Sequence, residues 1–578
     1  MRRPDRVTQT VVAVAVVALL VRLVGLGARP FHWDEARVGY WTLRSLAVGV
    51  YEYRPVAGGP FLPIVARWLF SVVGASDALA RLPVALVGGA LPLAALLFRD
   101  AALQPTASRG FAERAVDADH DSEGRLSTPP RERSPLGLDG LETISLAILL
   151  GFAPPLLYYS RVFRGDLPLA AFALVALGCF HRARARDSRR ALYAGAVAFG
   201  IALTTSGFVL AVLGCWLVAL VLVFDEGRVR GDPPGVLLGR ACRVVRNLTA
   251  WAVPVLRAVL VTVGVALFFY VPRGVVDFTR PGTILTALYQ GSVGAVNQFL
   301  AVRVLGRHAP PTHLNDHALL PFVRGNLVVL VVTALPVVAL ALWGFLRERY
   351  RGRSRPAVSF GAYWAGVGLL VFPAATEVNE PWVVVHVLVP LTLPAAVGLA
   401  ALWRYARQGV AAGDAVRVAT AVLLLSATGL HTGLVVADEV YDAPAPEDDL
   451  PGFAQPDVEL RPAMKSASTA IIGNDGVDVL YVGERFFLST ESVVERPPVP
   501  ADARDAFSAR LPLAWYTERM GAETASVSSA ETVPESLPPV VVTTPRHAPA
   551  LSDQMGSYSR FRVDLALSDR TVVVYVQE

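Results

Sequence analysis

The sequence predicts a polytopic α-helical membrane protein with about eleven transmembrane helices, interfacial helices in its first outer loop, and a small C-terminal extracytoplasmic α/β domain. Three observations carry this. The 578-residue chain is 53% hydrophobic and 17% charged with a mean hydropathy of +0.47, too apolar for a soluble globular protein. Apolar stretches of spanning length recur from residue 7 to about residue 436 and then stop. From Asp438 onward there are 23 Asp and Glu against 11 Lys and Arg, a net of −12, which leaves about +17 on the membrane part of a chain whose total is +5.

The expected spans run from 7 to 26, 79 to 98, 141 to 159, 167 to 181, 191 to 205, 207 to 224, 251 to 271, 326 to 346, 357 to 373, 382 to 402 and 413 to 436. Pro60 to Gly74 is apolar but only about 15 residues long, with Arg67 and Trp68 inside it. Counting it as a span would place Arg182–Arg186, Arg347–Arg351 and Arg404–Arg407 outside, against the preference of short Arg-rich loops for the cytoplasm. Read as a helix lying in the outer interface, it leaves those loops inside. A cytoplasmic N-terminus and an extracytoplasmic C-terminal domain follow.

This divides the chain into a transmembrane domain, 1–436, a Pro/Asp/Glu-rich linker, 437–456, and an outer domain, 457–578. The polar stretch 99–140 holds few large apolar residues and reads as a disordered cytoplasmic insert. The first helix lacks a small-residue cleavage site and reads as a retained span. Cys179, Cys215 and Cys242 fall in or beside apolar segments, so neither a disulfide framework nor a cysteine metal site is available. Asn247-Leu248-Thr249 matches a glycosylation acceptor on what this count makes the cytoplasmic side. Arg164-Gly165-Asp166 has the form of an adhesion tripeptide but is common by chance. The basic pI of 9.2 comes from loop arginines that orient helices and implies no nucleic acid partner.

On this topology the outer face collects His32-Trp33-Asp34-Glu35, Tyr51 to Phe61, Ser160 to Asp166, the long loop Pro272 to Asn326, and Glu377 to His386. Two adjacent carboxylates beside a helix end are a functional-site signal, because ionised groups near hydrocarbon cost roughly 2.5 to 3.5 kcal/mol each; a helix cap in the headgroup layer is the other reading. Assembled into chemistry, Asp34 is the general base, with Glu35 and Asp166 next, and Arg161 and Arg164 grip a lipid phosphate. Each has a plainer reading: Arg161 and Arg164 snorkel to headgroups, Asp166 caps the helix that begins at Leu167, Glu380-Pro381-Trp382 is an interfacial anchor, and His386 is a packing residue. The long loop serves as a lid or as a connector with its own amphipathic helix. Asp34, Glu35, Asp166, His32 and His386 supply donors for a divalent ion, although no ligand spacing demands one.

The order of these motifs, with Ala80-Arg81-Leu82-Pro83 at a helix start, Tyr158-Tyr159-Ser160-Arg161 and Leu511-Pro512-Leu513-Ala514-Trp515-Tyr516 in the tail, resembles the GT-C glycosyltransferases. Protein O-mannosyltransferases and the lipid A aminoarabinose transferase share that plan, and the nearest likeness is to the archaeal flippase activity-associated proteins. The resemblance implies a GT-C-like fold, a polyprenyl- or dolichyl-phosphate sugar donor, a glycan or protein acceptor at the membrane, inversion as the usual outcome, and Asp34 as the base. It adds Arg81 to the donor-phosphate residues and His32, Tyr51, Tyr53, Glu380, Trp382 and His386 to the substrate-binding ones. The chain departs from the family pattern in two places, having Gly58-Gly59-Pro60 where a His is frequent and Thr205-Ser206-Gly207 where Lys-Glu is usual. Those departures leave open a non-catalytic, flippase-associated role in handling lipid-linked sugars.

In the tail, strands are expected at Ala470–Ile472, Val477–Val482, Val540–Thr544 and Thr571–Val576, with a helix at Pro512–Met520. Strands alternating with helices predict an α/β domain, and no Gly-rich phosphate loop follows any strand.

Overall fold

A computed structural model describes residues 4–55, 58–100, 137–229, 251–277, 279–301, 319–351, 354–376, 381–442, 449–451, 455–495, 499–565 and 571–578, with positions 239 and 249. The expected insert is almost wholly outside them, as are Cys242, Asn247 and Glu380.

Long apolar runs become helices: α1 (Arg6–Leu23), α4 (Asp77–Leu97), α7 (Asp166–Arg186), α9 (Val209–Val229), α10 (Ala252–Tyr270), α12 (Leu319–Arg351), α13 (Pro356–Ala375), α14 (Val384–Ala412) and α15 (Ala415–Val435). Among the described residues nine helices are long and apolar enough to cross a membrane. The two other expected spans are shorter. The stretch 141–159 is not one helix but α5 (Gly140–Phe152) and α6 (Pro154–Tyr159), parted at Ala153 because the residue before Pro154 is pushed to extended backbone, ψ 125°. The second, α8, is the 14-residue helix Arg189–Ala202. In the first outer segment lie α2 (Trp33–Ala47) and α3 (Phe61–Val73), and in the later loop α11 (Pro281–Tyr289), which continues helically to Ala301.

The bundle closes on α14, whose apolar window is 89% buried. Gly398 and Gly344 allow α12 and α14 to touch backbone to backbone: a Cβ on Gly398 would stand 2.1 Å from the Leu340 carbonyl oxygen, and one on Gly344 would stand 2.0 Å from that of Pro394. One end of the bundle is knitted by ion pairs among the starts of α5 and α13 and the ends of α12 and α14. Arg355 holds Glu142 at 2.6 Å and Glu348 at 2.7 Å, while Arg404 reaches Asp139 and Glu142. The other end carries the ends of α1 and α6 and the starts of α4, α7 and α14.

The tail forms a five-stranded mixed sheet of order β2-β1-β3-β5-β4, from β1 (Val479–Val482), β2 (Thr524–Val527), β3 (Val540–Thr543), β4 (Tyr558–Asp564) and β5 (Thr571–Gln577). β1 pairs in parallel with β2 and β3, whereas β5 runs antiparallel to β3 and β4. Ala470–Ile472, expected as a strand, is instead the end of helix α16 (Leu460–Ala470) and a turn. Its apolar residues continue the helical stripe Leu460, Ala463, Met464 and Ala467, a period of 3 to 4 that a three-residue apolar run does not reveal.

Two more helices, α17 (Ala501–Arg510) and α18 (Leu513–Met520), bring the tail onto the membrane domain. The Asp77 carboxylate, at the start of α4, accepts hydrogen bonds from Trp515 Nε1 at 2.9 Å, the Tyr516 hydroxyl at 3.1 Å and Arg519 at 2.7 Å. Trp515 lies flat on α2 at Gly39, where an added Cβ would come within 2.6 Å of its ring. Gly39→Ala is therefore expected to cost about 1 to 3 kcal/mol by overpacking, read as faster amide exchange in α18 with the bundle unchanged.

Candidate active site

The site is built where the first loop turns into α2. His32 is the N-cap: its Nδ1 accepts from the Asp34 amide at 3.1 Å, and Glu35 Oε2 accepts from the His32 amide at 3.0 Å, a reciprocal box. This cap presents two neighbouring carboxylates in opposite ways. Glu35 is 0% exposed, and its oxygens take four hydrogen bonds: from Arg81 Nε at 2.8 Å, Arg81 Nη2 at 2.6 Å, the Phe163 amide at 2.6 Å and the His32 amide. Every acceptor site is filled, so Glu35 holds the loop together and has no lone pair to offer a substrate. Asp34 keeps 15% of its side chain exposed. Its Oδ1 accepts from Arg37 at 2.9 Å and its Oδ2 from Arg164.

Arg164 joins three parts of the chain. It bonds Asp34, bonds Asp166 through Nε at 3.0 Å, and lies 3.5 Å over the Trp382 ring. Asp166 is the first residue of α7, where its carboxylate makes no cap; it meets Arg164 and, 3.3 Å away, Nε2 of His386. His386 is fully buried, stacked on Phe372 at 4.5 Å. His32 meets the edge of Trp382 at 6.1 Å. The chain Arg37, Asp34, Arg164, Asp166, His386 thus runs across residues far apart in sequence.

Other expected site residues are elsewhere. Arg161 turns back to the end of α1, donating to the carbonyls of Arg22 at 3.0 Å and Gly25 at 3.2 Å. Arg81 is 1% exposed and besides Glu35 bonds the carbonyls of Leu26, Arg29 and Pro30. Neither guanidinium faces the Asp34 side of the site. Tyr51 packs with Ile64 and Phe269 and lines a cavity between α2 and the segment from Val50 to Pro63, and Tyr53 edges onto Tyr270 at 4.7 Å. Arg37 and the Asp77 clamp were missed. Arg37 stands three residues after Asp34 on one helix, a spacing that could have found it.

Burial pushes the Asp34 carboxyl up, but the guanidiniums of Arg164 and Arg37 outweigh it and hold it well below the usual carboxylate range. Burial pushes His32 from its ordinary 6.5 down to about 4, so the cap works as neutral imidazole. The folded value lies below the unfolded one, so the unfolded chain binds the extra proton between these limits. Stability from this group is whole above pH 6.5 and falls away as pH drops toward 4. His32→Asn keeps a cap that does not titrate; the loss of melting temperature from pH 7 to 5 should shrink in the variant.

Among the described residues no group of three or more His, Cys, Asp and Glu side chains is arranged to hold a metal ion. The stretches Gly58-Gly59-Pro60 and Thr205-Ser206-Gly207 meet in space: Thr205 and Thr204 carbonyls accept from the Gly59 and Phe61 amides at 3.0 and 2.9 Å. The Thr205 carbonyl also abuts Gly165, where a Cβ would come within 2.3 Å.

A helical bundle with nine described helices long and apolar enough to cross a membrane, carrying a site at one end under a mixed-sheet domain, defines a multi-pass membrane protein. Residues 460–577 match the Agl23 flippase-associated protein C-terminal domain. The chain is similar in structure to ArnT from Cupriavidus metallidurans in the apo state, with a TM-score of 0.54 at 16% identity over 99% of this chain and 98% of that one. It is equally similar to the same protein bound to undecaprenyl phosphate, with a TM-score of 0.54 at 17% identity over 98% of each chain. No curated protein matches.

Proposed function

We propose that this protein transfers a sugar from a polyprenyl- or dolichyl-phosphate donor to an acceptor at the outer membrane face, with Asp34 as general base. The observation that carries the reading is Arg164, one guanidinium shared by Asp34 and Asp166 and laid on Trp382. Lipid phosphate as the donor class is supported by the similarity to a structure bound to undecaprenyl phosphate. Phosphate oxygens compete for Arg164 and Arg37. As the guanidiniums turn to phosphate, the Asp34 carboxylate loses the charges that depress its basicity and becomes able to take a proton. The acceptor hydroxyl gives its proton to Asp34, its oxygen bonds the anomeric carbon, and the bond from that carbon to the phosphate oxygen breaks with its electron pair going to the phosphate. Attack opposite the departing phosphate inverts the centre.

Arg164→Gln tests the phosphate role. Loss of a charged hydrogen-bond pair worth about 1.5 to 3 kcal/mol should weaken undecaprenyl phosphate binding roughly 10- to 150-fold, measured with protein in nanodiscs; unchanged affinity counts against it. The match of residues 460–577 favours a second reading, an accessory protein in lipid-linked sugar handling. In that case the tail clamp matters and Asp34 does not.

A further inference from the structure

Beside the carboxylate cluster, between α2, the segment from Val50 to Pro63 and the C-terminal domain, lies a cavity of about 250 Å³. We propose that it binds one uncharged sugar unit, the acceptor's; the acceptor assignment rests on the transferase reading above, the sugar site does not.

Position comes first. Val38, Trp41 and Ser45 line the cavity, and with Asp34 they follow the 4-3-4 spacing of a single helix face. The cavity therefore begins one turn from Asp34. Gly58 and Gly59 line it from the other side, backed by the carbonyls of Thr205 and Thr204, and the Thr205 carbonyl also abuts Gly165, next to Asp166.

Charge and shape then select the ligand. Arg44 is paired with Glu518 at 3.0 Å and Arg54 with Glu52 at 2.8 Å, and Glu495 of the C-terminal domain adds a further carboxylate at the rim. With its cations already matched, the cavity lacks the uncompensated positive charge a phosphate needs. Paired carboxylates and guanidiniums instead offer acceptors and donors at fixed positions, which suits neutral hydroxyls. Trp41, wedged between Tyr40 at 5.0 Å and Phe507 at 5.3 Å, supplies a rigid apolar surface for a sugar ring. The volume is below the roughly 300 Å³ where drug-sized sites begin, the scale of a single saccharide.

The test uses full-length protein in nanodiscs and saturation-transfer NMR with methyl α-glucopyranoside, α-mannopyranoside and α-galactopyranoside. At least one should bind, and Ser45→Phe, which fills the cavity, should weaken that binding about tenfold or more while undecaprenyl phosphate still raises the melting temperature as in wild type. Glu495→Gln, at the exposed rim, should weaken it without a folding penalty. No binding of any glycoside to wild type, equal binding in wild type and both variants, or loss of the undecaprenyl phosphate effect in Ser45→Phe would overturn the proposal, the last by giving the cavity to the lipid phosphate. Asp34→Asn should still bind the glycoside. If that variant also transfers sugar normally, the role of Asp34 as general base fails while the sugar site stands.

Discussion

Asp34→Asn is expected to lower sugar transfer by about 10² to 10⁴, the range that a general base contributes, with no loss of folded protein. The amide keeps the shape and one oxygen to accept from Arg37 or Arg164, and the site retains 15% exposure at this position, so little burial is disturbed. What it lacks is a lone pair basic enough to hold a proton. The pH profile carries a second signature. Because Arg164 and Arg37 hold the free carboxyl well below its usual range, Asp34 stays ionised throughout the neutral and mildly acid region. The pH profile of kcat/KM, which reports the free enzyme, should therefore not show the acid limb of an ordinary carboxylate near pH 4. Rates in membranes at matched expression, across pH, read both effects.

The second large effect falls on stability. Arg81→Ala leaves the Glu35 carboxylate, 0% exposed, without its counter-charge and strands the carbonyls of Leu26, Arg29 and Pro30. Breaking a buried pair in this way costs roughly 3 to 5 kcal/mol, so the variant should fail to accumulate as folded protein. Arg81→Lys should not rescue it, since an ammonium has no planar fork to bond both Glu35 oxygens and three carbonyls together. Folded yield by size-exclusion fluorescence reads this outcome; full yield of Arg81→Ala would show that Glu35 is held by its backbone donors alone.

The contrast between these neighbours marks how far the sequence could be read. Apolar length located the helices of the membrane domain, and among the described residues the break at Pro154, the 14-residue α8 and the kink at Ala334 inside α12 depart from the expected spans. In the tail, β2 is Thr-Ala-Ser-Val and β4 alternates with four polar or charged residues, Ser559, Arg560, Arg562 and Asp564, so neither shows the apolar run that marked β1, β3 and β5. The segments 32–35, 160–166 and 377–386, each carrying ionisable residues, were legible as a group because each adjoins an apolar run. Which side chains face one another was not. Arg161 and Arg164 stand on one tight turn, and only its path sends the first to α1 and the second to Asp34. Asp34 and Glu35 differ by one helix position, about 100° of rotation, and that alone buries one and leaves the other reachable. Asp77 carries no mark in sequence beyond a first-turn acid, because its partners Trp515, Tyr516 and Arg519 lie more than 430 residues away.

The most direct test of the central claim compares wild-type and Asp34→Asn protein, matched for membrane expression, in cells lacking this chain, by mass spectrometry of surface glycans and of lipid-linked sugars. Loss of one sugar unit together with build-up of its lipid-phosphate carrier in the variant is the result predicted for transfer with Asp34 as base. Normal glycans in the variant, with a clear defect in cells that lack the protein, would contradict it and leave the accessory role.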